Sequence, residues 1–371
     1  MSVLETEYLG MKLKNPVIIA AGPWSSNGSK ILQCFETGAA AVVTESIVSD
    51  TLLDPRPRIA YNGSGVANIR LYSDVQIEGW EREMAIAKSG GGTVIASVSA
   101  STPSEIAYLA AKMERFGADA LELSVSNPMY ENLEVMASDV NMVAAMTREV
   151  TDCVNIPVIV KLSQNTTNIA NVARAAKEAG ADGVSAINTI RCILGVDIDS
   201  RKPMLGTYGG YSGAPIKPLG LASVATVAQT VGLPVSGIGG ISTWRDALEY
   251  IMLGAGTVQV ASALMLHGPS AVQNIISGME KWAEEQGLDS IDEILGSALY
   301  NLRSFDEMKI EPATSTVSSV PCSADCDLCT HCCLDLAIHR EKGQIRVDED
   351  RCTGCGLCTF VCPAHKLELT W

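Results

Sequence analysis

Nine of the chain's 12 cysteines fall in its last 50 residues, 322 to 371, and that crowding splits the molecule in two. A segment so short buries too little apolar surface to fold unaided, so its cysteines must supply a staple. Residues 1–321, with the other three cysteines, are long enough for one large or two ordinary domains. The opening MSVLETEYLGMKLKNP mixes charges with apolar positions and has neither a signal-peptide core nor a small-residue cleavage site, which places the chain in the cytoplasm. Thiols in a reducing compartment point to metal rather than disulfides. The net charge of -15 excludes nucleic acid and anionic membranes as partners. The longest uncharged stretch, 251–279, carries Gln259, His267, Pro269, Gln273 and Asn274, so it is no bilayer span.

Cys352, Cys355, Cys358 and Cys362, followed by Pro363, read C-x2-C-x2-C-x3-C-P. In this spacing three thiolates grip one iron–sulfur cube and the fourth reaches a second. Cys322, Cys326, Cys329 and Cys333 repeat the pattern with one extra residue in the first gap. The implied sharing groups Cys322, Cys326, Cys329 and Cys362 on one cluster, and Cys352, Cys355, Cys358 and Cys333 on the other. Cys332 is a spare that replaces Cys333 if the inserted residue shifts the register. Zinc knuckles are the bland alternative, but zinc sites need paired C-x2-4-C arms and no proline-terminated fourth cysteine. The tail resembles a bacterial-type ferredoxin carrying two [4Fe-4S] clusters, which implies one-electron conduction.

Eight short apolar runs recur upstream, at 16–22, 40–46, 93–99, 120–126, 157–163, 183–189, 234–240 and 257–263. Each reads as a strand apolar on both faces. Helical spacing fills stretches between them, including 104–116, 167–179, 243–253 and 269–286. Strand and helix alternating eight times predict a (β/α)8 TIM barrel, α/β in class, followed by a small α+β ferredoxin domain. The gaps after the second and sixth runs are about twice as long as the rest and are expected to hold active-site loops. Residues 309–321, KIEPATSTVSSVP, have the composition of a linker, giving a barrel over 1–308 and a ferredoxin-like domain over 322–371.

Active sites of such barrels sit where the strands end. The seventh run ends in Gly237-Ile238-Gly239-Gly240, with Ser242 or Thr243 placed to cap the next helix and Asp246 to close the box. The eighth ends in Val260-Ala261-Ser262, and the two loops together suit a phosphate, although glycines alone mark turns equally well. Lys161 interrupts an otherwise apolar fifth run near its C-terminal end, where its ammonium can neutralise charge on a reduced flavin ring. No G-x-G-x-x-G follows a strand and opens a helix, so a nicotinamide site in this chain is not supported.

The segments NPVIIAAGP (15–23), PRPR (55–58), PVIVKLS (157–163), AINT (186–189), GGYSGAPIKP (209–218), SGIGGIST (236–243) and GAGTVQVASALM (254–265) resemble, in order, the FMN barrel of dihydroorotate dehydrogenases. With the appended ferredoxin, the chain is most similar to the pyrimidine-reducing part of dihydropyrimidine dehydrogenases. The resemblance implies that Ala21, Gly22, Ser46, Lys161, Ser212, Gly213, Gly239, Gly240, Ala261 and Ser262 line FMN. It also implies that Asn68, Asn188 and Thr189 address the substrate. Amide and hydroxyl side chains there suit a planar cyclic amide, which is read by paired donors and acceptors.

The family pattern breaks in the catalytic loop, at Glu45 and at Arg70, where the family usually has glycine. The catalytic loop after the fourth strand, roughly N-x-S-C-P-N with Cys or Ser as base, here reads Ser124-Val125-Ser126-Asn127-Pro128-Met129. Asn127 cannot take or give a proton, and such help is typically worth about 10²- to 10⁴-fold in rate. Ser126, Tyr130 and Cys192 are the candidate replacements; Cys192 reads more simply as a small loop residue. Glu45 stands where the family has a lysine, which counts against a carboxylate ligand, and it is expected to pair with Arg70 or Lys161.

The expected activity is an FMN and iron–sulfur oxidoreductase working on a CH–CH or C=C bond of a small cyclic or conjugated substrate. Its partner would be a ferredoxin or an NAD(P)H-oxidising flavoprotein subunit. Three rivals remain: a true pyrimidine enzyme whose base has moved, an electron-transfer subunit with an altered barrel, and a flavin-free phosphate-binding barrel. A homo-oligomer is plausible by resemblance.

Overall fold

The computed structural model describes residues 2–50, 55–127, 136–308, 313–322 and 326–370. It separates into two compact units, Met1–Leu302 and Arg303–Trp371.

Eight parallel strands close the first unit into a barrel in chain order: Val17–Ile19, Ala41–Val43, Thr93–Val98, Ala120–Ser124, Val158–Leu162, Gly183–Ala186, Val235–Ile238 and Ala255–Val260. Every expected run supplies one of them. Most strands stop short of the runs' ends, and at several of them residues beyond the ladder, including Ala21, Gly22, Asn188, Gly239 and Gly240, line a cavity. Alternation of side chains assigns the two faces. Val17, Ile19, Val42, Val94, Leu121, Leu123, Val158 and Val160 pack outward against the helices in the main core. Ile18, Ala41, Val43, Ile95, Ala120 and Ile159 form a separate inner cluster with Tyr8 and Leu13. Those two belong to an antiparallel hairpin, Thr6–Tyr8 with Met11–Leu13, so the hairpin side chains join the inner layer. Fully burying one such aliphatic side chain is worth roughly 1.5–3 kcal/mol, so this apolar layer fixes the lower barrel.

Two residues further along the fourth and fifth strands, about 7 Å on, the inward positions turn polar: Glu122 after Ala120 and Lys161 after Ile159. Lys161 stands level with Ser124 on one neighbouring strand and Ser185 on the other. The long gaps after strands two and six contribute Ile59–Tyr61, Val66–Asn68, Ile190–Cys192 and Gly209–Ser212, which pair as one antiparallel four-stranded sheet. Helices Pro103–Arg115, Ile169–Glu178, Trp244–Met252 and Pro269–Gln286 fall within about a residue or two of the expected ranges.

The second unit is built twice from one plan. A short helix, Leu328–Cys332 or Leu357–Val361, leads to a cysteine, a left-handed residue and a strand. The left-handed residues are Leu336 (φ 53°) and His365 (φ 48°). The strands are Ile338–Glu341, paired with Gln344–Val347, and Leu367–Thr370, paired with Thr314–Val317. The backbone amides of Ala337 and Lys366 donate to Cys333 Sγ and Cys362 Sγ, each at 3.2 Å. Thr314–Val317 lies inside the stretch whose composition reads as a linker, yet it supplies the edge partner of the last strand. The segment Thr314-Ser315-Thr316-Val317 is almost wholly hydroxyl-bearing and carries no apolar alternation, and its one buried residue is Ser315. Residues 309–312 of that stretch lie outside the described residues. The unit's buried core contains Cys329, Cys358, Ile338, Ile345 and Leu367, too few for independent stability without a staple. Among the described residues, no helix is long and apolar enough to cross a membrane.

Candidate active site

At the C-terminal ends of the barrel strands two adjoining cavities share Ala21, Gly22, Asn68, Lys161, Asn188 and Thr189. The first is closed by Ser212, Gly239, Gly240, Ala261 and Ser262. The second is closed by Ser46, Ser126, Asn127, Glu45, Arg70 and Tyr72. The expected site residues lie along the walls of these two cavities, Gly213 excepted. Gly213 (φ 103°) sits behind: a Cβ on Gly240 would fall 2.9 Å from the Gly213 carbonyl oxygen and 2.6 Å from Lys217 N. Gly240 also has φ 73°, so backbone shape and space both require glycine there.

The glycine turn is held from below. Tyr250 donates its hydroxyl to the Gly239 carbonyl at 2.7 Å, from a position that Gly220 and Gly237 leave room for. Thr243 and Asp246 form the expected capping box of the helix that follows. Lys217 bridges Asp246 at 2.6 Å and Glu249 at 2.9 Å, which pins this helix start to the glycine loop. On the opposite wall a Cβ on Gly22 would meet nothing within 4 Å, so a flat group can lie against that backbone.

Lys161 is not a lone cation. Its Nζ lies 3.1 Å from Glu122 Oε1, and Glu122 is fully buried. Glu122 Oε2 accepts from Ser185 Oγ at 2.8 Å and from Gln259 Nε2 at 3.0 Å. Glu122, Ser185 and Gln259 were not singled out in the sequence, although Glu122 interrupts ALELSVS as plainly as Lys161 interrupts PVIVKLS. Gln259 Oε1 is the one buried side-chain polar atom without a hydrogen-bond partner among the described residues, and Gln259 lines the first cavity. Such an acceptor requires a donor from whatever occupies that cavity.

On the second cavity's wall Glu45 and Arg70 form the expected ion pair, and it is bidentate: Arg70 Nε reaches Oε1 in a very short contact, and Nη2 reaches Oε2 at 2.7 Å. Both side chains are buried. Burial raises the Glu45 carboxyl above its ordinary value, and the two Arg70 hydrogen bonds oppose that rise. Asn188 donates to Ser126 Oγ at 2.7 Å and accepts the Thr189 amide at 2.8 Å. Asn127 Nδ2 donates to the Tyr72 hydroxyl oxygen at 3.0 Å. Of the candidate bases, Cys192 packs beside Ala67, Ile69 and Leu205, and burial pushes its thiol up, away from reactivity. Tyr130 lies outside the described residues.

In the second unit, Cys333, Cys352, Cys355 and Cys358 line one hollow together with Gly354 and Gly356. Cys329 lies within electrostatic reach of Cys322 and Cys362. The hollow thus brings together the four cysteines of one expected set, and Cys322, Cys329 and Cys362 of the other stand near one another, while Cys332 also stands near Cys333, Cys355 and Cys358. Among the described residues no three such side chains are drawn tightly enough to hold a single ion.

Residues 3–282 match the dihydroorotate dehydrogenase family. The chain belongs to that family. As a member it is an oxidoreductase acting on CH–CH bonds. Residues 343–364 separately match a 4Fe-4S binding domain, covering the Cys352 to Cys362 motif. Similar proteins include the catalytic subunit of dihydroorotate dehydrogenase B (NAD(+)) of Thermoplasma volcanium, 38% identical over 81% of this chain and 99% of the relative. The same subunit of Pyrococcus furiosus is 37% identical over 80% of this chain and 98% of its own length. That of Methanosarcina mazei is 38% identical over 80% and 96%. Each relative is matched almost end to end, leaving about a fifth of this chain without a counterpart in them.

Proposed function

We propose that the chain is the catalytic subunit of an FMN-dependent oxidoreductase that exchanges hydride at a CH–CH or C=C bond of a small cyclic amide. Electrons leave or enter through two [4Fe-4S] clusters, to a ferredoxin or an NAD(P)H-oxidising flavoprotein subunit. The observation that carries this reading is the first cavity. It joins a backbone turn fit for a phosphate, an open face over Gly22 and the orphaned Gln259 acceptor, which suits a ring N–H or a ribityl hydroxyl. These residues fit FMN.

FMN, when bound, supplies hydride chemistry at a ring and single-electron exchange with iron–sulfur cubes. Gly239, Gly240, Ala261 and Ser262 would hold its phosphate through backbone amides. Lys161, held by Glu122, would set the charge beside the ring. Asn68, Asn188 and Thr189 would orient the substrate, while Glu45 occupies Arg70 and keeps the second cavity from offering that guanidinium to a carboxylate. The name shared by the relatives suggests dihydroorotate as substrate; the Glu45–Arg70 pair favours an uncharged ring of the same kind.

An anaerobic preparation assayed for flavin, iron and sulfide, then mixed with dihydroorotate and 5,6-dihydrouracil, tests the proposal. It expects about one FMN and two clusters per chain and bleaching of the flavin by at least one probe. A protein rich in iron but without releasable flavin would sink it. A second reading, an electron-transfer subunit with an altered barrel, is favoured by Asn127 alone; it expects cluster reduction to persist while Asn127→Cys restores no turnover.

A further inference from the structure

Reaction at a CH–CH bond moves a proton as well as a hydride, and the wall residues divide sharply by whether they can serve that proton. Glu45 is committed to Arg70 and Lys161 to Glu122. Asn127 is an amide, and Cys192 is packed into a side cluster. Ser126 Oγ, like the Tyr72 oxygen, accepts an amide N–H, but an alkyl hydroxyl gives up its proton far less readily than a phenol.

We propose that the Tyr72 hydroxyl is the general acid–base of this site and that Asn127 is its positioning residue. The assignment rests on the function proposed above. Asn127 Nδ2 donates to the phenol oxygen at 3.0 Å, so the phenol's own proton is not spent on Asn127. That contact fixes the phenol oxygen beside Asn127 on the wall of the second cavity. Tyr72 is half-buried and lines the second cavity with Asn127, Ser126 and Asn188.

The loop that carries Tyr72 is fixed on both sides. Arg70 is clamped to Glu45, and its amide donates to Asn68 Oδ1 at 2.8 Å. Ser73 N donates to the Ser46 carbonyl at 2.9 Å, and Trp80 Nε1 donates to Ser73 Oγ at 3.2 Å. The Glu45–Arg70 pair therefore has a structural consequence beyond charge, because it anchors the backbone two residues before the phenol. This pairs with the Asn127 position: where the family loop carries its base, this chain carries the donor that holds another.

In the reducing direction the C=C π bond of the ring breaks. The carbon β to the carbonyl gains a hydride, with its electron pair, from the reduced flavin, and the α carbon gains the Tyr72 proton. The phenolate left behind recovers a proton from water. Oxidation runs through the same transfers reversed, with Tyr72 as base and the flavin as hydride acceptor.

The test is the anaerobic reductive half-reaction of the holoenzyme, with dihydroorotate and 5,6-dihydrouracil as reductants. Binding of orotate and uracil is followed separately by perturbation of the flavin spectrum. Tyr72→Phe is expected to bind the oxidised rings within about three-fold of the native protein, yet to be reduced about 10²- to 10⁴-fold more slowly and to lose one limb of the rate–pH profile. Asn127→Ala is expected to move the pH of that limb while binding persists, which keeps the assignment testable if the phenylalanine variant fails to fold. A Tyr72→Phe rate within three-fold of native, a parallel loss of binding and rate, or an unmoved limb in Asn127→Ala would each overturn it. A native protein that no probe reduces overturns the proposed function and this assignment together; a native protein that is reduced, beside an unaffected Tyr72→Phe, overturns this assignment alone.

Discussion

Glu122→Gln tests the reading that the upper barrel is organised around one buried carboxylate. The native side chain is acceptor-only, and its two oxygens take three donors: Lys161 Nζ at 3.1 Å, Ser185 Oγ at 2.8 Å and Gln259 Nε2 at 3.0 Å. Glutamine keeps one oxygen and turns the other into an NH2 facing at least one donor. At this separation the charge attraction is about 5 kcal/mol with an effective dielectric of 20. Breaking one side of a buried pair typically costs about 3–5 kcal/mol. Ser185 can rotate to accept, and Gln259 can flip so that its orphaned Oε1 meets the new NH2, which places the net loss toward the lower figure. The thermal unfolding midpoint, followed by tryptophan fluorescence of the holoenzyme, should then fall by roughly 6 °C, at about 2 °C per kcal/mol for a chain of this size. The flip would point the Gln259 amide group into the first cavity, so flavin retention should fall as well. The double variant Glu122→Gln/Lys161→Met should be more stable than the single, because the penalty comes from the stranded ammonium. A loss below about 1 kcal/mol, or a double variant that is merely additive, would refute the argument.

Glu45→Gln should cost about 1.5–3 kcal/mol by breaking the buried bidentate pair while Arg70 keeps its 3.5 Å contact with Asp74, and should raise the affinity for orotate relative to uracil by at least about ten-fold, read by flavin-perturbation titration. Burial pushes the Asp246 carboxyl up, but Lys217 and the amides of Ser242 and Thr243 outweigh it and hold it below the ordinary range. Its contribution is therefore present above the unfolded value near 3.9 and lost as pH falls through the lower folded value. Asp246→Asn should flatten that acid limb of stability and cost about 1 kcal/mol at neutral pH, checked by denaturant unfolding across pH. Cys362→Ser and Cys333→Ser should each remove one cluster, lowering iron from about eight to about four per chain, with different paramagnetic signals surviving in the two variants. Two variants that lose the same signal would contradict the crossed sharing.

How far the sequence could be read depended on whether a signal was local. The eight strands were legible because a parallel barrel strand is buried on both faces and writes itself as a continuous apolar run. Lys161 was legible as an interruption of such a run. Its partner Glu122 carries the same signal, but two interruptions on neighbouring strands point at each other only after the barrel register sets one beside the next. The Glu45–Arg70 pair was anticipated because both residues depart from the family pattern, and opposite charges in one dry pocket must meet. Tyr72 gave no signal at all: it sits in a loop whose course is set by Ser73, Arg70 and their partners across the chain. The strand Thr314–Val317 was hidden for the same reason, since its partner Leu367–Thr370 lies at the far end of the tail.

Taken together, the described charges of the site cancel in pairs, Lys161 with Glu122 beneath the first cavity and Arg70 with Glu45 beside the second. A wall whose charges are internally neutralised attracts neither anion nor cation strongly and discriminates instead through amides and hydroxyls, here Asn68, Asn188, Thr189 and Ser126. Groups of that kind reject a ring that leaves one of them unpaired more severely than they reject a ring of slightly wrong size. The same neutrality removes every charged side chain described on that wall from proton transfer, which is why the chemistry falls to a phenol. Substrate class and acid–base assignment therefore share one origin: glutamate in place of lysine at position 45 engages Arg70, Arg70 anchors the loop, and the loop presents Tyr72 to Asn127.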